Sequence, residues 1–190
     1  LQTGANVFLT GEPGSGKTHM VNQYVRWLRG HGIEPAITAS TGIAATHIGG
    51  MTIHSWSGIG VKNNLSSYDL DMIASNERVA KRVGRTQVLI IDEVSMLSAE
   101  TLSMAEAVCR EVRRNSAPFG GLQVILVGDF FQLPPVVARA ASEGGEPRSV
   151  AERDEDAAQR LGFGEAEAGA ALAPFSFRSH AWRALNPLVC

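Results

Sequence analysis

The sequence predicts an α/β fold: a parallel β-sheet flanked by helices and built around a phosphate-binding loop. Three observations carry this. A short apolar run ending at Thr10 leads into GEPGSGKT, residues 11–18, and an amphipathic segment starts at once. Two continuous apolar runs, QVLII over 87–91 and LQVILV over 122–127, read as strands buried on both faces. Helical patterns lie between these runs, and strands alternating with helices make a parallel sheet.

The first strand ends at Thr10. Gly11 to Lys17 follows, spaced as GxxxxGK[ST] in strand–loop–helix context. Gly11, Gly14 and Gly16 let the backbone adopt conformations closed to other residues, so that loop N–H groups, Ser15 included, can approach a phosphate. The helix that begins here points its positive dipole end at the same anion. Lys17 is placed to reach the β- and γ-phosphates, and the Thr18 hydroxyl to ligate Mg²⁺. Met20, Val21, Tyr24, Val25, Trp27 and Leu28 have helical spacing, and Gly30-His31-Gly32 ends that helix. Pro35 to Ala39 reads as a short strand. Ser40-Thr41-Gly42 opens a small-residue helix over 43–48, closed by Gly49-Gly50. Met51 to Trp56 comes next, then a Gly/Asn/Ser-rich loop to Ser67. Tyr68 to Val83 reads as one polar helix or two short ones. Ser98 to Asn115 carries Leu102, Ala105, Val108 and Val112 on one side of a helix. The stretch Ala138–Pro174, rich in Ala, Glu, Gly and Arg, reads as a surface insertion, helical in part or disordered. Phe175 to Leu185 resumes an ordered pattern.

At 190 residues the chain reads most simply as one domain, large enough to bury a core without disulfides. Its two cysteines, Cys109 and Cys190, have no metal-type spacing and suit a reducing, intracellular compartment. The five histidines form no ligand cluster with cysteine or acid. No apolar run reaches the length of a membrane span, about 18 residues. A net charge of −2 does not by itself mark a nucleic-acid binder. The chain opens at Leu1 and is expected to be a fragment.

Polar residues end the strands where ligands of open α/β sheets bind. Asp92 ends the first buried run and can hold Mg²⁺ opposite Thr18. Glu93 is then a candidate base for the attacking water. Gln132, in GDFFQLPPV, could bond both the γ-phosphate and that water. Thr41 and Gly42 sit at a second helix start suited to a phosphodiester. Thr52, His54 and Ser55 add donors. Trp56 reads equally as a face for base stacking or as core. Arg78, Lys81, Arg82 and Arg85 read as a solvated helix face or a nucleic-acid patch.

GEPGSGKT, ASTGIAATHIGGMTIHSW, LIIDEVSML and LVGDFFQLPPV together resemble motifs I, Ia/Ib, II and III of the Pif-type (petite integration frequency) DNA helicases of superfamily one, the 5′→3′ branch. Phe175 to Trp182 loosely resembles the segment after motif III in that family. The resemblance implies a RecA-like P-loop NTPase domain, the first motor domain of an ATP-dependent helicase acting on single-stranded DNA. It implies ATP and Mg²⁺ at Lys17 and Thr18, metal at Asp92, the base at Glu93 and a γ-phosphate sensor at Gln132. Thr41, Gly42, Thr52, His54 and Ser55 would lie along the DNA. The adenine-reading glutamine motif and the second RecA-like domain, with its arginine fingers, would lie outside this chain, and the isolated fragment is expected to be nearly inactive. The alternative is a P-loop small-molecule phosphotransferase or another P-loop ATPase.

Overall fold

The computed structural model describes residues 2–131 and 175–190. The expectation for residues 138–174 lies outside the described residues. The described chain forms a six-stranded sheet: β1 (Val7–Leu9), β2 (Ala36–Ala39), β3 (Met51–Thr52), β4 (Val88–Asp92), β5 (Gln123–Val127) and β6 (Leu188–Val189). Their spatial order is β3-β2-β4-β5-β1-β6, and every pairing is parallel. The helices are α1 (Lys17–Gly30), α2 (Gly42–His47), α3 (Ile53–Ser57), α4 (Ser67–Ser75), α5 (Glu77–Arg85), α6 (Ala99–Arg113) and α7 (His180–Leu185).

The sheet is covered on both faces, which is why its central strands read as unbroken apolar runs. Alternate residues of β1, β4 and β5 serve opposite faces. Val7, Leu9, Val88, Ile90, Ile125 and Val127 pack with Tyr24, Val25 and Leu28 of α1. Phe8, Leu89, Ile91, Val124 and Leu126 pack with α3, α5, α6 and α7.

The polar stretch 68–83 resolves into two helices. Ser66 caps α4 through a capping box with Asp69, and Asn76 caps α5 by accepting the Arg78 and Val79 N–H groups. Asn76 itself is extended, with φ −71° and ψ 112°, which breaks the helix between the two. β3 and β6, each two residues long, are too short to leave a period-2 signature. β6 is fixed by its neighbour instead: Leu188 N donates to Asn6 O and Cys190 N to Phe8 O, each at 2.9 Å. It braces β1 immediately before the glycine-rich loop.

Candidate nucleotide and nucleic-acid site

The loop residues take backbone angles that explain their composition. Gly11 has φ 143° and Gly16 has φ 91°, both in territory that side chains avoid. Gly16 is the N-cap of α1, so the helix starts at Lys17 and its first N–H groups open toward the loop. The Lys17 ammonium donates to the Gly11 and Glu12 carbonyls, across the mouth of the loop. Thr18, one residue on, is exposed.

Asp92 ends β4 two strands from β1, with β5 between them. By alternation it shares the face of Val88 and Ile90, the face covered by α1. This places it on the side where Lys17 and Thr18 begin that helix. Its Oδ1 accepts the Glu93 N–H at 2.9 Å, which fixes the carboxylate's orientation. Burial pushes the Asp92 carboxyl above its ordinary pKa, against the Glu93 N–H and the Lys17 charge, which pull it down. Glu93 is raised too, first by burial and then by the Asp92 charge. Lys17 acts on both acids, so the ammonium and the two carboxylates share one field.

Glu93 has φ 53° and ψ 40°, a left-handed conformation rare for glutamate. This step turns the chain out of β4 into a 3₁₀ turn, Val94–Met96. Two contacts hold the turn. A Cβ on Gly128, just after β5, would meet the Val94 and Ser95 nitrogens at 3.2 Å, so any larger residue would press the turn outward by a few tenths of an ångström. Ser176 Oγ, fully buried, donates to Val94 O at 2.9 Å. Phe130, just after β5, packs edge-on against Phe175, Phe177 and Trp182. Residues 175–185 therefore buttress the acidic turn. The sequence marked that segment as ordered but held no sign of this contact. Asp129, buried at the end of β5, raises the Glu93 pKa and accepts the Phe131 N–H at 3.0 Å. Sequence reasoning passed over it, although it ends a buried strand as Asp92 does. Gln132 lies outside the described residues.

The donor set fits Mg²⁺ with a nucleotide. Among the described residues no three His, Cys, Asp or Glu side chains could hold a metal between them. One carboxylate and one hydroxyl are the usual protein share when phosphates and water complete an octahedral ion.

The second group of residues follows β2 and β3. Ala39 pairs with Asp92, and Ser40 N donates to Asp92 O at 3.2 Å. Thr41 is thus two residues from the partner of the acidic strand end. Thr41 caps α2, its side chain accepting the Ala44 N–H, and Thr52 caps α3 by accepting the Ser55 N–H. Gly42 and Ser55 are exposed, and His54 is half-buried, its pKa lowered by that burial. Trp56 is core. It is 2% exposed and, with Ile53 three residues earlier, faces the α6 side of the sheet, so it offers no stacking surface. Arg82 is not a solvated residue either: its guanidinium bonds the Ser55 and Trp56 carbonyls at 2.8 and 2.9 Å. No helix among the described residues is long and apolar enough to cross a membrane.

A parallel sheet carrying a phosphate loop after β1, and an acidic pair two strands away, defines a RecA-like P-loop domain. Its family emerges from comparison with known proteins. Residues 1–150 match the PIF1-like helicase family, and the chain belongs to it. It is 54% identical over 142 residues to the ATP-dependent DNA helicase Pif1 of Psychrobacter sp. (strain PRwf-1), covering 75% of this chain and 22% of that one. The crystal structure of Pif1 helicase from Candida albicans superposes with a TM-score of 0.75 at 32% identity, covering 99% of this chain and 36% of that one. Pif1 helicase from Bacteroides, solved in complex with ADP-AlF3 and ssDNA, superposes with a TM-score of 0.57 at 30% identity, over 93% of this chain and 35% of that one. The chain thus spans about a fifth of the curated relative's length.

Proposed function

We propose that this chain is the ATP-binding motor domain of a 5′→3′ DNA helicase, with ATP bound as its Mg²⁺ complex at the glycine-rich loop. The observation that carries this is the juxtaposition at one end of the sheet. Lys17 and Thr18 open α1, Asp92-Glu93 ends β4, Thr41 and Gly42 follow β2 beside β4, and His54 and Ser55 follow β3 on the far side of β2.

In this reading the N–H groups of residues 11–17 cradle the β- and γ-phosphates. Lys17 exchanges the Gly11 and Glu12 carbonyls for phosphate oxygens. Thr18 and Asp92 would hold Mg²⁺, which supplies neutralisation of phosphate charge. Glu93 orients the attacking water and accepts its proton. Gln132 would sense the γ-phosphate. A second RecA-like domain elsewhere in the protein would complete the site with arginine fingers, a contribution worth 10³–10⁵ in rate in comparable systems. Thr41, Gly42, Thr52, His54 and Ser55 would track single-stranded DNA. Nucleotide-driven closure of the cleft would then step that strand. The protein would act in whichever intracellular compartment holds its DNA.

The test uses a fluorescent ATP analogue and a single-stranded oligonucleotide. The chain should bind both. Lys17→Ala should weaken Mg²⁺·nucleotide binding about tenfold or more, the size of a lost charge-assisted hydrogen bond, and leave DNA binding intact. Transfer of phosphate to a small-molecule acceptor, with no response to single-stranded DNA, would overturn the reading in favour of a phosphotransferase.

A further inference from the structure

α3 is five residues long, Ile53–Ser57, and a helix that short has no stability of its own. Its direction is set by the groups that hold it. At its start Thr52 caps the Ser55 N–H, and Ile53 and Trp56 anchor one side in the core. At its end the Arg82 guanidinium, on α5, donates from Nη2 to Ser55 O at 2.8 Å and from Nε to Trp56 O at 2.9 Å. A cation at a helix C-terminus also complements the helix dipole. A cavity of about 550 Å³ lies beside this contact, lined by Trp56, Arg82 and Arg85 with the beginnings of β2 and β4.

We infer that Arg82 is a positioning residue for the nucleic-acid face: its two-pronged grip on the α3 carbonyls holds Thr52, His54 and Ser55 where a DNA strand can meet them, without itself touching DNA. This rests on the DNA-binding reading of α3. The grip needs a planar fork, because one side chain serves two successive carbonyls through two different nitrogens. Lysine at this place would keep the charge and lose the geometry. The counterion-release slope separates this role from direct contact. A side chain that neutralises a phosphate contributes about 0.7 to the slope of log K against log salt on a single strand. A positioning residue contributes none.

The experiment measures single-stranded oligonucleotide affinity from low to moderate salt for wild type, Arg82→Lys and Arg82→Gln. Nucleotide binding at the Lys17 loop serves as the folding control. Backbone amide exchange at Gly58, whose N–H closes α3 onto His54 O, is measured without DNA. Both variants should lose DNA affinity about tenfold. They should keep the wild-type salt slope and nucleotide binding, and exchange the Gly58 amide faster while the amides of α6 hold. Full affinity and protection in Arg82→Lys would overturn the inference, because charge alone would suffice. A slope about 0.7 shallower in Arg82→Gln would overturn it in favour of a direct phosphate contact. Absence of DNA binding by the wild type would instead refute the DNA reading, and the Gly58 exchange rates would still decide whether Arg82 holds α3.

Discussion

Glu93 supports a prediction in which stability and activity part company. It adopts φ 53° and ψ 40°, where a Cβ crowds the backbone at a cost of about 1–2 kcal/mol. The strained residue is also the proposed base. Glu93→Ala and Glu93→Gly both delete the half-buried carboxylate, and with it the burial penalty and the repulsion from Asp92 that raise its pKa. They differ only in the Cβ. Glycine relieves the left-handed strain but gives back about 0.4–1 kcal/mol through the greater freedom of its unfolded chain. Glu93→Gly should therefore be more stable than Glu93→Ala by about 0.5–1 kcal/mol. For a domain of this length that is about 2 °C in melting temperature. The assay is urea unfolding of the nucleotide-free protein at constant m-value, with thermal melts in parallel. Both variants should bind nucleotide, and in the full-length protein both should fail to turn it over. If Glu93→Ala is as stable as Glu93→Gly, the backbone at this position stores no strain. If either variant hydrolyses ATP at the wild-type rate, Glu93 is not the base.

Two further outcomes can be measured. A Cβ on Gly50 would lie 2.3 Å from Ile37 O, so Gly50→Ala should force β3 away from β2 and destabilise the fold by about 2–3 kcal/mol in urea melts. An unchanged midpoint would show that the edge strand shifts freely. His54 is half-buried and its pKa lies below the ordinary 6.5. The unfolded chain therefore binds the His54 proton more tightly, and stability falls as pH drops from about 6.5 through the lowered value. His54→Gln should flatten that limb of the stability–pH curve, and an identical limb in the variant would refute the assignment.

Much of the candidate site was legible because its signals are local. A phosphate loop needs glycines at fixed offsets, and those offsets survive in one dimension. Buried strands of a two-sided sheet need consecutive apolar residues, so QVLII and LQVILV declared themselves and their ends pointed to Asp92 and Glu93. Trp56 and Arg82 could not be read this way. A tryptophan three residues from an isoleucine in a short helix is core or platform depending on which face the sheet covers. An arginine on an amphipathic helix is solvent-facing or structural depending on whether a carbonyl lies within its reach.

By itself the sequence determined the loop, the two central strands, the alternation that makes the sheet parallel, and the acidic pair at a strand end. Only the tertiary structure decided that β5 lies between the loop strand and the acidic strand, and that β2 delivers Thr41 beside Asp92. It also decided that residues 175–185 return to hold the Glu93 turn, and that Arg82 grips α3. The physical reason is separation along the chain. Ser176 meets Val94 across 82 residues and Arg82 meets Trp56 across 26, and no local pattern of hydrophobicity or turn chemistry encodes a contact made over such distances.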